Sequence, residues 1–309
     1  MTDHSRPASA SAAVAWVESP LQLLCAAEYA AELVETHGRE LDVAFRLTGP
    51  QMTATAAALI DRGARFRTIA PYYGIPWAAL ASRRHWVIGD GFSGQFRLAL
   101  STVGARQITF VDDGRMTVDL VDAVRGDIAF ARPGHDESAT KTFLGGSTRT
   151  RLQRLANRGR LTFYTAFADT IASGGPGAVL RIRPNRFDWL RAHARPVALP
   201  HPRVVLGSAA VADGTIDPTR YLDWLARIVA NGSLSYLPHR RESRELLGLV
   251  GSINGVHLVE TDLPVELALA GTADPLHIIS LGSTADTTLA RILAGTGTAV
   301  HVLALDGSR

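Results

Sequence analysis

The stretch "AVAWVESPLQLLCAAEYA" (residues 13–30) sets the pattern from which the fold can be predicted. Its first part, "AVAWVES", is a short apolar run of the length that a buried strand takes. Pro20 follows in a position typical of the first turn of a helix, and an Ala- and Leu-rich pattern carries this helix to about Glu35. A strand that runs directly into a helix is the first half of a βαβ unit.

The same alternation returns twice along the chain. The first series continues with the predicted strands "DVAFRLT", "RFRTIA", "HWVIGD" and "QITFVDDG"; a second series comprises "PRVVLGS", "SLSYLP", "VHLVET", "LHIISLG" and "AVHVLALD". A Pro-, Gly- and Arg-rich stretch, residues 174–202, separates them. Strands that alternate with helices predict parallel, doubly wound sheets. We therefore expect an α/β protein with a disordered tail over residues 1–12, a Rossmann-like N-terminal domain over 13–190 and a Rossmann-like C-terminal domain over 200–309, with a cleft between the domains.

Composition limits the class of protein. The chain has 309 residues, of which 46% are hydrophobic and 20% charged, as in ordinary globular enzymes. A formal net charge of +3 does not by itself indicate a nucleic-acid partner, which would call for a concentrated basic face. Cys25 is the single cysteine, so no internal disulfide can form, and we expect a cytoplasmic protein. No apolar run is long enough to predict a membrane span, while peripheral contact with the inner face of the membrane and the oligomeric state stay open.

One region is less regular. Residues 119–167 contain a Gly-Gly pair and a basic run, "STRTRLQRLANRGR" (residues 147–160). This run fits a surface for an acidic acceptor or a membrane, but a solvated helix face is the preferred interpretation.

Polar clusters follow several predicted strands, where ligands bind in open α/β sheets. In "FVDDG", Asp112 and Asp113 end a strand before Gly114. One of these carboxylates is a candidate general base, because burial and a like-charged neighbour raise a carboxyl pKa. We prefer Asp112 slightly, since adjacent side chains on a strand point in opposite directions. The alternative interpretation is that Asp-Gly forms a plain turn.

A second cluster lies in "SYLPHRRESRELL" (residues 235–247), where Pro238 leads into His239, Arg240 and Arg241 before a predicted helix. Basic groups at a helix N-terminus favour an anion. His239 is a candidate to protonate or hydrogen-bond a phosphate, and Glu242 is expected to cap the helix. A purely structural role for the histidine is the alternative.

Two further clusters complete the candidate site. In "SLGSTADTTL", Gly282, Ser283 and Thr284 lead from a strand into a helix and form a candidate phosphate cradle, with a plain N-cap as the alternative. In "ETDLPVELAL", Glu266 is a candidate ligand for ribose hydroxyls, with a simple match to the helix dipole as the alternative.

The order of four short motifs in the chain resembles that of the bacterial sialyltransferases. These motifs are Asp-Asp-Gly, Pro-His, Pro-x-Glu and Ser-x-x-Ser-Thr. The capsule polysialyltransferase and lipooligosaccharide sialyltransferase group is the most similar, and "VESPLQLLCAAEYA" resembles its N-terminal strand and Ser-Pro-Leu-Gln helix start. The motifs run from Ser19 to Thr284, so the resemblance covers nearly the whole chain. Each motif is only two to five residues long, so the specificity lies in their combination.

The resemblance implies a GT-B fold, in which two Rossmann-like domains face a central cleft. It implies inverting, metal-independent transfer of sialic acid from CMP-sialic acid to a hydroxyl of a glycan or glycolipid acceptor, in surface-glycan biosynthesis and with no cofactor beyond the CMP-sugar. Asp112 or Asp113 would be the general base, and His239 would act on the leaving phosphate. The residues implied in donor binding are Ser19, Gln22, Gly114, Pro238, Arg240, Glu266, Gly282, Ser283 and Thr284.

The sequence departs from the family's pattern in one motif. Pro238 precedes His239 and Arg240 follows it, whereas many members have His followed by Pro. The exact donor therefore stays open among CMP-activated ulosonic acids. The chain also stops shortly after a predicted strand, whereas GT-B enzymes often add closing helices, so the resemblance predicts a compact or truncated variant.

Two other functions remain open. A GT-B nucleotide-sugar epimerase or hydrolase would need a second acid near the sugar. A catalytically silent nucleotide-binding module would keep the fold without the reaction. No His, Cys or carboxylate cluster in the sequence has the spacing of metal ligands.

Overall fold

The computed structural model describes residues 12–134, 139–172 and 180–305. The chain divides into two compact units, the first ending at Trp189 and the second beginning at Leu190. Of the predicted disordered tail only Ala12 is described, and it is buried, while residues 1–11 lie outside the described part of the chain. In the described ranges, every helix is too short or too polar to cross a bilayer.

The N-terminal unit contains a seven-stranded sheet in the order β3-β2-β1-β4-β5-β6-β7, and all neighbouring pairs are parallel. Its strands are β1 Ala13–Val17, β2 Leu41–Arg46, β3 Phe66–Tyr72, β4 His85–Ile88, β5 Gln107–Val111, β6 Leu161–Thr165 and β7 Arg181–Pro184. The helices are α1 Pro20–His37, α2 Pro50–Asp61, α3 Trp77–Ser82, α4 Gly94–Thr102, α5 Met116–Arg125, α6 Ala139–Asn157, α7 Ala168–Ala172 and α8 Asp188–Ala192, the last of which crosses the boundary between the units.

The C-terminal unit contains a five-stranded parallel sheet in the order β10-β9-β8-β11-β12. Its strands are β8 Arg203–Leu206, β9 Leu234–Leu237, β10 Val256–Leu258, β11 His277–Ser280 and β12 Ala299–Val302. Its remaining helices are α9 Pro218–Val229, α10 Arg244–Ser252, α11 Val265–Leu269 and α12 Thr284–Ile292. The core under α9 is aromatic, with Tyr221, Trp224 and Tyr236 buried together.

The two sheets share a topological feature that positions ligands. In each unit the strand order reverses beside the first strand, between β1 and β4 and between β8 and β11. Open α/β sheets bind ligands beyond the carboxyl ends of the strands at such switch points. The predicted architecture of two Rossmann-like parallel sheets is confirmed.

The region predicted to be irregular differs from that expectation. Residues 119–167 hold most of α5, all of α6 and the fully buried strand β6, which pairs with β5 and β7. The Gly-Gly pair weakens the helical pattern of the sequence, yet it lies inside α6. A Cβ on Gly145 would lie 2.4 Å from the carbonyl oxygen of Phe130, so the glycine allows α6 to pack closely against the neighbouring backbone.

Candidate functional site

Acidic side chains gather at the carboxyl edge of the N-terminal sheet. Glu18 follows β1, Asp90 follows β4 by two residues, and Asp113 follows β5. These three strands are neighbours in the order β1-β4-β5, so their carboxyl ends meet at one edge. We call Glu18, Asp90 and Asp113 the carboxylate cluster. Burial raises the pKa of both Glu18 and Asp113, and the charge of Asp90 raises both further, so the charges of the cluster act on one another.

Asp112 lies next to this cluster but is engaged by the protein itself. Its side chain is completely buried. The backbone N–H of Ala166 donates to Asp112 Oδ2 over 2.7 Å, and the Thr165 hydroxyl donates to Oδ1. Both carboxylate oxygens thus fix the end of β5 to the end of β6, and these contacts favour a structural role for Asp112.

Asp113 has the properties of a proton acceptor. Burial and the neighbouring Asp90 carboxylate raise the pKa of Asp113 to about 6, although a hydrogen bond from Gln22 opposes the shift. Gln22 Nε2 donates to Asp113 Oδ1 over 2.6 Å. A carboxyl with a pKa close to neutrality is well suited to general base catalysis, because it is ionised at pH 7 and still binds a proton readily.

The start of α1 fixes the orientation of Gln22. Ser19 caps the helix by accepting the backbone N–H of Gln22, and Pro20 occupies the first turn. Gln22 Oε1 accepts the backbone N–H of Glu18 over 2.7 Å, so Nε2 must face Asp113. A Cβ on Gly89 would lie 2.1 Å from Gln22 Oε1, which explains the glycine after β4. Ser19 and Gln22, predicted as donor ligands, are brought together here as supports of Asp113.

The other two members of the carboxylate cluster have cationic partners. Arg46 Nη1 lies 3.0 Å from Glu18 Oε2, and Arg132 forms an ion pair with Asp90. Asp113 has an amide partner instead and forms no ion pair among the described residues. Asp113 is therefore the member of the cluster whose carboxylate charge no ion pair in the described part of the chain compensates.

Gly114 satisfies the turn interpretation of the same motif. It has a φ of 69°, a left-handed conformation that favours glycine, and it leads into α5. The backbone N–H of Asp113 donates to Thr117 Oγ1 over 3.0 Å. "FVDDG" is thus a turn and a carboxylate site at once, so the two interpretations do not exclude each other.

In the C-terminal unit, His239 lies in the loop that follows β9. Its Nδ1 accepts the backbone N–H of Arg241 over 3.3 Å, so the neutral ring carries its proton on Nε2. Burial lowers the pKa of His239, and the charges of Arg240 and Arg241 lower it further. The side chain is therefore a neutral hydrogen-bond donor at pH 7, and an anion bound nearby would raise its pKa again.

Glu242 does not cap α10, contrary to the sequence expectation. Ser243 is the N-cap and accepts the backbone N–H of Leu246 over 3.1 Å. Glu242 turns inward instead: Oε2 accepts the backbone N–H of His239 over 2.7 Å and Oε1 accepts the hydroxyl of Tyr236 over 2.6 Å. Two buried donors bind the carboxylate more strongly than one exposed helix end, which is the physical reason for the difference.

The backbone at the end of β8 packs onto this arrangement. The N–H of Ser208 donates to Glu242 Oε1 over 3.4 Å. A Cβ on Gly207 would lie 2.3 Å from Glu242 Oε2 and 2.5 Å from the backbone nitrogen of His239. Gly207 therefore allows the loop of His239 to lie against the β8 end, at the switch point of the second sheet.

The two arginines beside His239 differ in their surroundings. Arg241 forms an exposed ion pair with Asp213, with 3.2 Å between Nη1 and Oδ2. Arg240 is exposed and has no hydrogen bond or ion pair from its side chain within the described part of the chain. Of the two cations predicted to attract an anion, Arg240 is the one available for it. Pro238 directly follows β9, which ends at Leu237, and begins the loop.

The loop after β11 leads into α12. Gly282 has a φ of 91° and donates its N–H to Ser280 Oγ over 3.0 Å. Ser283 is the N-cap of α12, and its backbone N–H donates to Asp286 Oδ2 over 2.6 Å. The hydroxyl of the exposed Ser283 and the first turn from Thr284 face the same strand end as the loop of His239, because β11 is the neighbour of β8.

Glu266 lies deeper than the other predicted ligands. It is 5% exposed, and its Oε1 accepts the hydroxyl of Thr288 over 2.8 Å, which joins α11 to α12. Burial raises the pKa of its carboxyl. These contacts agree with a role in packing, and they leave the predicted contact with ribose as a proposal.

We call residues 207–208, 238–241 and 282–284 the donor loops. They follow β8, β9 and β11 at the carboxyl edge of the C-terminal sheet. Glu18, Asp90, Gly207 and Ser208 were not among the predicted site residues. For Glu18, Asp90 and Ser208 the available indication was a polar residue at the end of a predicted strand, and Gly207 offered no such indication. Among the described residues, no group of three or more His, Cys, Asp or Glu side chains could hold a metal ion.

No protein-family model matches the sequence, and no curated protein sequence matches it. Solved structures do. The Staphylococcus aureus MnaA–UDP complex has a TM-score of 0.55 at 10% identity, covering 95% of this chain and 79% of that one. A crystal structure described as a putative UDP-N-acetylglucosamine 2-epimerase from Listeria monocytogenes has a TM-score of 0.53 at 14% identity, with the same coverage of both chains. Phytolacca americana UGT2, complexed with UDP-2-fluoro-glucose and pterostilbene, has a TM-score of 0.51 at 11% identity. The match covers 95% of this chain and 80% of that one.

At these identities the similarity shows the fold. The chain has the GT-B fold, with two parallel-sheet α/β domains, which is shared by glycosyltransferases and UDP-sugar epimerases.

Proposed function

We propose that this protein is an inverting glycosyltransferase that moves a sugar from a nucleotide-activated donor to an acceptor hydroxyl. The observation that carries the proposal is Asp113, a carboxyl at the switch-point edge of the first sheet with a pKa of about 6 and a hydrogen-bond partner that orients it. A perturbed carboxyl in such a position is a candidate catalytic group.

In the proposed reaction, Asp113 accepts the proton of the acceptor hydroxyl. The hydroxyl oxygen forms a bond to the anomeric carbon while the bond from that carbon to the nucleotide phosphate breaks on the opposite face. The configuration at the anomeric carbon is therefore inverted. Gln22 keeps the carboxylate in place through its Nε2–H donor, and burial, together with the charge of Asp90, keeps the pKa of Asp113 high enough for proton transfer.

The donor loops would stabilise the charge that develops on the departing phosphate. His239 offers Nε2–H, Arg240 offers a guanidinium without a described partner, and α12 offers the positive end of its dipole. A nucleoside monophosphate or diphosphate held in this way would leave without requiring a bound cation. We therefore propose a metal-independent reaction.

For the donor, we propose a CMP-activated sialic acid or related ulosonic acid. The support is the order of motifs from Ser19 to Thr284, which resembles that of the bacterial sialyltransferases. A glycan or glycolipid would be the acceptor.

A second candidate is a UDP-sugar 2-epimerase. Such an enzyme needs a second acid near the sugar, and the carboxylate cluster supplies Glu18 and Asp90 beside Asp113. Two of the structures with this fold are described as UDP-N-acetylglucosamine 2-epimerase or as a UDP complex of MnaA. This candidate predicts UDP as the preferred nucleotide.

The test compares Asp113→Asn with wild type in a turnover assay that contains CMP-sialic acid or UDP-N-acetylglucosamine, with and without glycan acceptors. We expect acceptor-dependent release of CMP by wild type and a loss on the order of 10²-fold or more in kcat for Asp113→Asn, because a general base contributes about that much. Asp127→Asn is the matched control, since Asp127 is an exposed acid of the same unit outside the carboxylate cluster. Epimerised UDP-sugar without transfer would favour the second candidate, and full activity of Asp113→Asn would exclude Asp113 as the base.

A further inference from the structure

A pocket of about 270 Å³ lies in the N-terminal unit, where α4 and α6 end. The residues that line it are Leu100, Gly104, Ala105, Arg151, Arg154, Leu155 and Arg158. We call it the arginine pocket. It is distinct from the carboxylate cluster, because α4 and α6 run toward the amino ends of β5 and β6, whereas the cluster lies at the carboxyl ends of the strands.

The arginines share one face of α6. Residues 151, 154 and 158 are separated by three and four positions, so their side chains are neighbours on the helix surface. Arg151 Nη1 donates to the carbonyl oxygens of Leu100 over 2.7 Å and Ser101 over 3.4 Å, which fixes this guanidinium against the end of α4. Arg154 and Arg158 are exposed, and their side chains form no hydrogen bond or ion pair with any described residue.

The two helices at the pocket carry basic residues and no acidic ones. The sequence of α6 contains four Lys and Arg residues and that of α4 contains one, and neither helix contains Asp or Glu. Like charges on one helix face destabilise the helix, so a solvated helix face would be expected to mix both signs.

Two additional arginines extend the basic region along the sheet edge. Arg106 and Arg160 directly precede β5 and β6, and the backbone N–H of Ile108 donates to the carbonyl oxygen of Arg160 over 2.9 Å. Both side chains are exposed. Leu98 and Val103, on α4 and just after it, are 47% and 38% exposed. A concave basic site with apolar residues beside it is thus available to a ligand.

The helix dipole accounts for only part of this arrangement. A cation near the last turn of a helix stabilises its carbonyl end, and Arg151 does so for α4. Arg154, in the last turn of α6, and Arg158, just after it, are also favoured by the dipole of that helix, but their guanidinium groups make no hydrogen bond with a described residue and their donors stay available to a ligand.

We propose that the arginine pocket binds a phosphate group. Guanidinium groups form paired hydrogen bonds with phosphate oxygens, and two unpartnered guanidinium groups beside a fixed third one provide the donors for this geometry. The phosphate belongs to a phospholipid headgroup or to a free phosphorylated molecule. This inference is independent of the reaction proposed above, because the pocket shares no residue with the carboxylate cluster or the donor loops.

The test uses the full chain and two probes at 0.15 M NaCl. In one arm, co-sedimentation is measured with vesicles of phosphatidylcholine alone and with vesicles that contain 30% phosphatidylglycerol. In the other, calorimetry measures the binding of pyrophosphate. Each arginine near an anionic surface contributes about fivefold in affinity, so Arg154→Glu with Arg158→Glu should weaken binding at least tenfold. Arg154→Lys with Arg158→Lys, which keeps the charge, should retain vesicle binding.

The control replaces Arg220 and Arg244 with Glu, the same change of charge at two exposed arginines of the C-terminal unit. This variant should bind both probes as wild type does. Binding to phosphatidylglycerol vesicles that only the pocket variant loses identifies a lipid headgroup, and pyrophosphate binding that only the pocket variant loses identifies a free phosphorylated molecule. Because the donor loops are also expected to bind a phosphate, the calorimetric titration is read as the number of pyrophosphate sites, of which the pocket variant should lose one. If wild type binds neither probe, or if the pocket variant binds vesicles and pyrophosphate with the affinity and stoichiometry of wild type, the proposal is wrong.

Discussion

The substitution Asp113→Asn should make the protein more stable at neutral pH. In the folded protein the pKa of Asp113 is raised from 3.8 to about 6. Between these values the unfolded chain loses the proton while the folded protein keeps it, so stability falls as the pH rises through this window. The shift corresponds to about 3 kcal/mol, at about 1.4 kcal/mol per pKa unit. Asp113 is partly exposed, so solvent screening reduces the expected effect to about 1–3 kcal/mol.

Asparagine keeps the shape of the side chain and an oxygen that accepts the Gln22 hydrogen bond, but it does not ionise. The difference in melting temperature between Asp113→Asn and wild type should therefore be close to zero near pH 3.5. Above pH 6.5 the melting temperature of the variant should exceed that of wild type by about 3–9 °C. This range follows from about 3 °C of melting temperature per kcal/mol for a unit of this size. Differential scanning calorimetry across pH 3.5 to 8 measures it.

Asp112→Asn is the control for this experiment. Its carboxylate accepts the N–H of Ala166 and the hydroxyl of Thr165, and an amide would place N–H groups against one of these donors. The free energy of unfolding of this variant should be about 1–3 kcal/mol lower than that of wild type. A variant Asp113→Asn that is less stable than wild type at pH 7, or that differs by the same amount at every pH, would refute the account of the carboxylate cluster.

The remaining predictions concern the donor loops. His239→Ala should lower kcat by about 10²-fold, as the loss of an electrostatic donor does. Its melting temperature should change little, because the ring accepts a single described hydrogen bond. Steady-state kinetics and calorimetry on one preparation measure both effects. Gly207→Ala should lower the free energy of unfolding by about 1–3 kcal/mol and weaken nucleotide binding, because its Cβ would collide with Glu242 and the backbone of His239. Nucleotide binding as tight as that of wild type would contradict the described loop geometry. Turnover should be unchanged by EDTA, and a loss that Mg²⁺ or Mn²⁺ restores would contradict the metal-independent reaction.

Much of the fold could be predicted from the sequence, because parallel strands buried on both faces give apolar runs that are easily separated from helices. The segment with α6 and β6 could not be predicted, because the Gly-Gly pair and the arginines weaken the helical pattern, and the reason for Gly145 is a contact with Phe130 that is distant in sequence.

For the candidate site, local motifs indicated the strand ends but not the partners. "FVDDG" placed two acids correctly at the end of β5, yet only long-range contacts distinguish Asp112, fixed by β6, from Asp113, oriented by Gln22. The partners of Glu242 could not be predicted from its local motif either. Its sequence position suited a helix cap, while its contacts with Tyr236 and the β8 end depend on the strand order of the folded sheet.

The proposed reaction depends on the binding of an activated nucleotide by the donor loops. Calorimetric titration of the full chain with CMP, UDP and GDP, without added metal, measures this binding. We expect a nucleotide to bind, with CMP preferred, and most of that binding to be lost in Gly207→Ala. A preference for UDP would replace the proposed donor and favour the epimerase. If none of the three nucleotides binds at millimolar concentration, the proposed reaction is wrong.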